Sequence, residues 1–516
     1  MGGYRFRYNL CVMPSKTPEL ELKFSAPTDF AAGALTSQAG IEEIAELPPL
    51  NLLAVYYDTE DLRLARAGVT LRYRTGDDNG AAWTLKLPSL DTRELRSEVV
   101  IDQANGNNVP DEARLLTTAF ARGAELHKVA RLRTRRRRWS LRELGGRELA
   151  ELVDDRVSVL DGRRVTQRFH ELEVEARSTD LAGLRRIEVA LGQMGFAPSS
   201  QSPKVFRALG PRAADRSDIP EPTTGSPRSP VADAAAAAMS SAIRRLVLYD
   251  PHARLHDAEG IHQMRVSARR LRGYLRTFAP LVQADWANAL NEELRRLAHA
   301  LGNARDLDVM IKQLREAAFN GIAAITPMLH VMEGRRSAAR RALDTELQSD
   351  RYVGLLERLI EIPRASVLSA EASEPCRSAL PRLVSKTWQP LSEAVEELHE
   401  KPSDDRYHEV RIHAKRARYI AEAATPWLGR QAGRDADRFA RQAEEVQNVL
   451  GERQDAVVTR QALLEEAAKR PADGLFNLAA GRLVERQEQS IAASDKQFRE
   501  VWRAMNRKKI RAWLNG

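Results

Sequence analysis

Polar and apolar positions alternate along nine short runs in the first 210 residues: 19–25, 54–58, 69–75, 82–87, 96–102, 131–141, 148–153, 156–160 and 169–176. A period of two puts successive side chains on opposite faces of a strand, so these runs predict an antiparallel sheet with one buried face. Asp77-Asp78-Asn79-Gly80 predicts a hairpin turn between two of them. Residues 111–125 and 180–194 carry the longer period of helices. Then the pattern stops. Pro211, Pro220, Pro222, Pro227 and Pro230 fall among Ser, Thr, Gly and Asp, which predicts a semi-rigid linker over 211–231. From Ala232 to about residue 510 the helical period returns, carried by Ala, Leu, Arg and Glu. The expectation is a multidomain chain: a disordered leader over 1–16, an α+β domain over 17–210, the linker, and an all-α domain over 232–510.

Charge changes the picture of the strands. Glu19-Leu20-Glu21-Leu22-Lys23 alternates charge with leucine, so Glu19, Glu21 and Lys23 share one face. Carboxylates that close repel unless something positive lies over them, and oxygen-only donors suit a hard divalent cation. The pattern recurs at Glu171-Leu172-Glu173-Val174-Glu175. Between these acidic strands come basic ones, with Arg72 and Arg74, then Lys86, then Arg133 and Arg135 at alternating positions. A solvated sheet face would explain any one strand. Five strands with acids and bases segregated predict a closed antiparallel β-barrel with a charged interior. Glu151 and Asp155 form a further acidic pair whose register Asp154 blurs, and Arg136, Arg137 and Arg138 break the alternation and read as a solvated basic edge.

This ordered set, with Tyr57-Asp58-Thr59, Gly68-Val69-Thr70-Leu71-Arg72-Tyr73-Arg74 and Thr84-Leu85-Lys86, resembles the CYTH domain of the triphosphate tunnel metalloenzymes over residues 17–210. The resemblance implies metal-dependent hydrolysis of inorganic triphosphate. It implies Arg72, Arg74, Lys86, Arg133, Arg135 and Lys204 as substrate-binding residues. Glu19, Glu21, Glu171 and Glu173 would ligate Mg2+ or Mn2+, with Glu175 a weaker third ligand on its strand, and Lys23 and Glu21 would be catalytic. Arginine forks onto phosphate oxygens, lysine acts as a point charge, and such chemistry rests on positioning and charge neutralisation rather than a nucleophilic triad. Trp83, beside Thr84, is expected to be structural.

The helical region contains a duplication. His262, Arg265, Arg269, Arg270 and Arg272 match His408, Arg411, Lys415, Arg416 and Arg418, and Leu301-Gly302 through Arg305-Asp306 matches Leu450-Gly451 through Gln454-Asp455. The offsets are 146 and 149 residues, giving two repeats at about 232–360 and 376–510. At ~100° per residue, His262, Arg265, Arg269, Arg272 and Arg276 lie within about 80° of one another, with Met264, Ala268, Leu271 and Leu275 on a separate face. Like charges on one face destabilise a helix unless an anion offsets them. This helix, followed by Gly302, Arg305, Asp306 and Asp308, resembles the CHAD domain. That likeness implies polyphosphate as partner, bound by His262, Arg265, Arg269, Arg272, Arg276, Arg305, His408, Arg411, Lys415 and Arg418. The second copy departs from the first, with Gln454 for Arg305 and Val457 for Asp308.

Composition narrows the partners. The formal charge of +9 favours polyanions. Single-strand nucleic-acid binders interleave basic residues with stacking rings, whereas aromatics here are 6% of the chain, which argues against nucleic acid. Cys11 and Cys376 are isolated and imply no disulfide framework. No apolar run approaches 18 residues, so no spanning helix is expected, and the default location is cytoplasmic, with polyphosphate granules as a candidate association. Two other readings stay open: a polyphosphate-binding protein with a relict tunnel, and a tunnel acting on thiamine triphosphate or ATP.

Overall fold

The computed structural model describes residues 21–25, 32–36, 39–78, 80–88, 96–101, 106, 108–199, 203–281, 284–362, 370–399 and 402–515. Glu19 and the expected leader lie outside them. The chain divides into two compact units between Asp218 and Ile219.

The first unit is one antiparallel sheet of nine strands: β1 (Glu21–Ser25), β2 (Glu43–Asp58), β3 (Thr70–Asp77), β4 (Gly80–Pro88), β5 (Arg96–Ile101), β6 (His127–Arg142), β7 (Glu148–Asp161), β8 (Arg164–Ala176) and β9 (Ala197–Pro198). Their order is β5-β4-β3-β2-β6-β7-β8-β1-β9. No ladder joins β5 to β9 among the described residues. The sheet is nonetheless strongly curled. Lys86 on β4 acts electrostatically on Glu175 on β8, although a flat sheet would hold strands five places apart at about 24 Å.

Three elements differ from the sequence reading. The runs 148–153 and 156–160 are one strand, β7, because Asp154 and Asp155 pair on through the ladder with Leu172 and Glu171. β2 begins at Glu43 rather than residue 54, with Pro48-Pro49 accommodated where the pairing with β6 shifts between Leu47 and Leu50. The helix expected over 111–125 is two short ones, α2 (Asp111–Leu116) and α3 (Thr118–Ala121), separated at Thr117, whose hydroxyl donates back to the Ala113 carbonyl. Asp77 pairs with Gly80 across the expected hairpin, and Gly76, at the register shift in β3 just before it, has φ of 86° and a backbone so close to Asn51 that a Cβ would lie 2.1 Å from its carbonyl oxygen.

Helices line the sheet's two faces. Ahead of α2 lies α1 (Arg63–Arg66), whose Leu64 and Ala65 amides donate to the buried Asp58 carboxylate at 2.9 and 2.8 Å. On the outer face, Leu184, Ile187 and Leu191 of α4 (Leu181–Gln193) pack with Phe24, Trp139, Leu141, Leu152, Leu172 and Val174. Toward one end the inner face is apolar instead. There α5 (Lys204–Leu209) lays Val205 against Ala54, Tyr56, Leu132, Val157 and Val159.

The segment expected as a linker is divided between the units. Ala213 packs on Leu62 and Ala65, and Asp218 is ion-paired with Arg122, all within the first unit. Ile219 is buried in the second, where Gly225 lies against the Trp427 ring and the Cys376 amide donates to the Ser229 carbonyl at 2.9 Å.

The second unit is helical: α6 (Val231–Arg254), α7 (Ala258–Thr277), α8 (Ala284–Phe319), α9 (Thr326–Leu347), α10 (Asp350–Glu361), α11 (Cys376–Glu396), α12 (Asp404–Ala424), α13 (Arg430–Ala468), α14 (Gly474–Met505) and α15 (Lys508–Arg511). Asp257 and Ser403 cap α7 and α12 by accepting the amides of Gly260 and Arg406. The repeat is structural as well as sequential: α6-α7-α8 recurs as α11-α12-α13, and the two basic helices α7 and α12 pack side by side.

Candidate active site and anion-binding face

Strand register decides which side chains meet inside the curled sheet. Residues directly paired across a ladder share a face. Glu21 and Lys23 pair with Glu175 and Glu173, which pair in turn with Glu151 and Val153, while Glu171 pairs with Asp155. Asp155 pairs with Arg136 and Val153 with Arg138. On the other side of β2, Tyr56 pairs with Arg72 and Ala54 with Arg74, then Arg72 with Thr84, Thr70 with Lys86, and Lys86 with Glu98. One inner face therefore carries Glu21, Lys23, Arg72, Arg74, Lys86, Glu98, Arg136, Arg138, Glu151, Asp155, Glu171, Glu173 and Glu175.

This corrects the reading of β6. Arg133 and Arg135, expected inside, pair with Ser158 and Arg156 and are exposed on the outer face. Arg136 and Arg138, expected as a solvated edge, are the residues that face inward. A one-residue change of phase exchanges the two sides of a strand. Asp154 likewise points outward, where it bonds His170, and so leaves Asp155 to the interior. Trp83 is fully buried against Tyr57 and Tyr73, with ring centroids at 4.8 and 5.4 Å, and is structural as expected.

The interior is a compensated charge lattice. Lys23 Nζ lies 3.2 Å from Glu21 and 3.3 Å from Glu173. Arg136 makes two bonds to Asp155, at 2.8 and 2.7 Å, and reaches Glu173 at 3.5 Å. Lys204, at the start of α5, bonds both Asp155 and Glu173. It holds the acids together rather than standing open to a substrate. Burial opposes all these charges, but Lys204, Lys23 and Arg136 hold the Glu173 carboxyl well below the usual range, and Lys204 and Arg136 do the same for Asp155. Lys86 pairs with Glu98 at 3.1 Å, Arg74 with Asp77, and Arg138 with Asp78 at 2.8 Å.

Two groups escape this compensation. Burial pushes the Glu171 carboxyl upward, Arg207 meets one of its oxygens at 3.4 Å, and its buried Oε2 has no hydrogen-bond partner. Arg72 is half-buried and bonded to Tyr56, but its buried Nε has no partner. A buried carboxylate oxygen without a donor, among Glu21 and Glu173, fits a divalent cation, and a buried unpartnered guanidinium N–H fits an anionic oxygen. Among the described residues no group of three acids is already gathered at metal-binding spacing.

In the helical unit the expected stripes converge. Arg265, Arg269, Arg411 and Lys415 lie close enough that each acts on the others' charge. Arg265 is tied to Asp306 at 2.6 Å, as expected for an acid that orients a base. Arg269 and Arg411 each carry a buried, unpartnered Nε. Burial and these arginines push the Lys415 ammonium down to about 6. Burial also pushes His262 and His408 down, helped by Arg305 at the first and Arg411 at the second, while Gln454 bonds the second at 3.1 Å. Gln454 thus stands where Arg305 stands in the first copy.

Some expected members sit apart. Arg305 donates to the Ala258 carbonyl at 3.3 Å. Asp308 serves α9, meeting Arg340 at 3.0 Å and Arg336 at 3.8 Å. Arg418 is neutralised by Glu422 at 2.6 Å and Glu444 at 2.7 Å. Arg272 and Arg276 continue α7 beyond the central cluster, beside Arg416.

Comparison with known proteins agrees with this division. The CYTH domain model matches residues 17–196 and the CHAD domain model residues 237–464. An uncharacterized protein of Mycobacterium tuberculosis is 30% identical over 511 residues, covering 93% of this chain and 94% of its own. The solved CHAD domain from the plant Ricinus communis shares 22% identity, covers 57% of this chain and 95% of its own, and superimposes with a TM-score of 0.44. HpAC1 of Hippeastrum, named for adenylyl cyclase and described as having a dominant triphosphatase activity, shares 19% identity over 37% of this chain and 95% of its own, with a TM-score of 0.24. No helix among the described residues is long and apolar enough to cross a membrane.

Proposed function

Since this chain belongs to the family in which a CYTH domain precedes a CHAD domain, we propose that its first unit hydrolyses inorganic triphosphate with Mg2+ or Mn2+ and that its second binds inorganic polyphosphate. The observation that carries the first half is the register: it sets Glu21, Glu171 and Glu173 on one wall of the interior and Arg72, Arg74 and Arg138 on another. Glu21, Glu171 and Glu173, with Glu19 beyond the described residues, would hold the cation. When bound, it would supply positive charge to the phosphate oxygens and polarise the bond to be broken.

The protein's own groups do the rest. Arg72, Arg74 and Arg138 bind and orient the phosphate oxygens, in forked contacts that a point charge does not give. Lys23 holds Glu21 and Glu173 at fixed spacing, and Arg136 and Lys204 keep Glu173 and Asp155 ionised. Lys23 is thus a positioning residue, since its ammonium is spent on two carboxylates. Tyr56, beside Arg72 in the ladder, is packed into the apolar end of the inner face. Trp83 is turned away from the charged interior and packed against Tyr57 and Tyr73, so it is not placed to stack a base or a thiazole there.

The test is phosphate release by the full chain from inorganic triphosphate, thiamine triphosphate and ATP with each metal. Glu171→Gln should lose activity on triphosphate without loss of fold. Full activity in that variant, or a preference for thiamine triphosphate or ATP, would refute the assignment. For the second unit, Arg265→Ala with Arg269→Ala should abolish retention of long-chain polyphosphate.

A further inference from the structure

The two halves of the helical unit are related by the repeat, yet two pairs of equivalent positions carry opposite charge. In the first setting, Arg270 from α7 crosses to α12, lies over the Tyr419 ring at 4.7 Å and pairs with Glu422 at 2.8 Å. Arg418 joins the same Glu422 and also Glu444 of α13. Two arginines meet two glutamates, and the setting is neutral.

The repeat offsets map this setting onto Arg416, Gly273, Arg276, Arg272 and Arg295. Arg416 takes the place of Arg270 and crosses toward α7. Its charged neighbour is Arg276, where the mirror has Glu422, and Arg295, in the place of Glu444, acts on Arg272. Burial and the charge of Arg276 push Arg416 down, and burial, Arg276 and Arg295 push Arg272 down, against a single nearby acid, Glu292. Both oxygens of Glu292 are held by Arg295, at 2.7 and 2.8 Å. Arg272 donates only to the neutral Asn291 at 3.3 Å, and Arg276 and Arg416 make no ion pair among the described residues. Arg276 is exposed and Arg416 half-buried, so both are open to a ligand.

We propose that Arg272, Arg276 and Arg416 form a second anion site for consecutive phosphates of a polyphosphate chain, on one side only of the central Arg265–Arg269–Arg411–Lys415 cluster. This rests on the polyphosphate reading of the helical unit and gives it a direction. A chain lying on the central cluster runs on along the C-terminal half of α7, because three unneutralised guanidinium groups await it there. At the mirror position Glu422 and Glu444 repel it.

The experiment measures binding of short and long inorganic polyphosphate to the full chain against salt concentration. Each phosphate contact that is removed flattens the dependence of log affinity on log salt by about 0.7. Arg276→Glu with Arg416→Ala should therefore flatten the slope by ~1.4 and weaken long-chain binding at least tenfold near 0.1 M salt. A chain too short to leave the central cluster should be unaffected. Conversely, Glu422→Arg with Glu444→Arg should tighten long-chain binding. If the first pair of changes leaves affinity and slope at the parent values while Arg265→Ala with Arg269→Ala still abolishes binding, the second site is wrong and the polyphosphate reading survives. If the central variant binds as the parent does, that reading falls and the second site falls with it.

Discussion

The two units concentrate charge in opposite ways. Inside the curled sheet nearly every base has an acid: Lys23 has Glu21 and Glu173, Arg136 has Asp155, Lys86 has Glu98. Between α7 and α12 the bases have one another. Arg269, Arg411 and Lys415 make no ion pair among the described residues, burial and Arg265 weaken the hold of all three on a proton, and Arg269 and Arg411 add to that effect on Lys415. The first arrangement is stable without a ligand, and a cation or phosphate must enter by exchanging partners. The second is under strain until an anion arrives, so relief of repulsion adds to its affinity. Compensated charge suits a site that must release product, and uncompensated charge suits one that retains a polymer.

The largest effect that would sharpen this contrast is on turnover. Glu21→Gln with Glu171→Gln should lower phosphate release by more than a hundredfold, roughly the scale of losing an electrostatic group aimed at the reacting centre, while long-chain polyphosphate retention stays at the parent level. A joint loss of both activities would break the separation of the units. Next comes stability. Arg136→Ala leaves Asp155, which is fully buried, with Lys204 as its remaining partner, and should cost roughly 3 kcal/mol in a denaturant titration.

A smaller effect is the pH dependence of binding. Free Lys415 titrates at about 6, and a bound anion raises that value, so binding takes up a proton above pH 6. Polyphosphate affinity should therefore decline as pH rises from about 6, by at most a factor of ten per unit. Lys415→Met should flatten the profile. Burial also holds the histidines below their ordinary value, so they add to the same downward trend. A midpoint that stays put in the Lys415 variant would assign the titration to them instead. The smallest effect is expected from Arg411→Met, which removes a mutually repelling charge and should raise the melting temperature of the ligand-free protein by a degree or two, about 0.5 kcal/mol. A fall would mean that Asp455 already compensates this arginine.

Much of this was legible in the sequence, because a period of two and a period of 3.6 separate the units, and because repeated histidines and arginines exposed the duplication. The phase of β6 was not. Basic residues crowd Arg131–Arg138 so densely that charge carries no alternation there. The apolar residues mislead as well, since Leu132 is buried on the inner face and Trp139 and Leu141 on the outer one. That switch is made by α5, which covers the inner face at one end, and a six-residue helix after a proline gives no periodic signal of its own. Lys204 could be placed only by resemblance, and its role as a clamp on Asp155 and Glu173 depends on where α5 docks. Arg416 was passed over for a related reason: it lies off the stripe of its own helix and acquires a partner only when α7 packs beside it.

The docking of α5 also limits what can happen inside the sheet. With Val205 seated on Ala54, Leu132 and Val157, the charged interior ends in a hydrophobic floor. A polyanion lying along the inner face would meet apolar side chains there rather than further charge. The inner face is thus charged along much of its length and sealed by apolar side chains at one end.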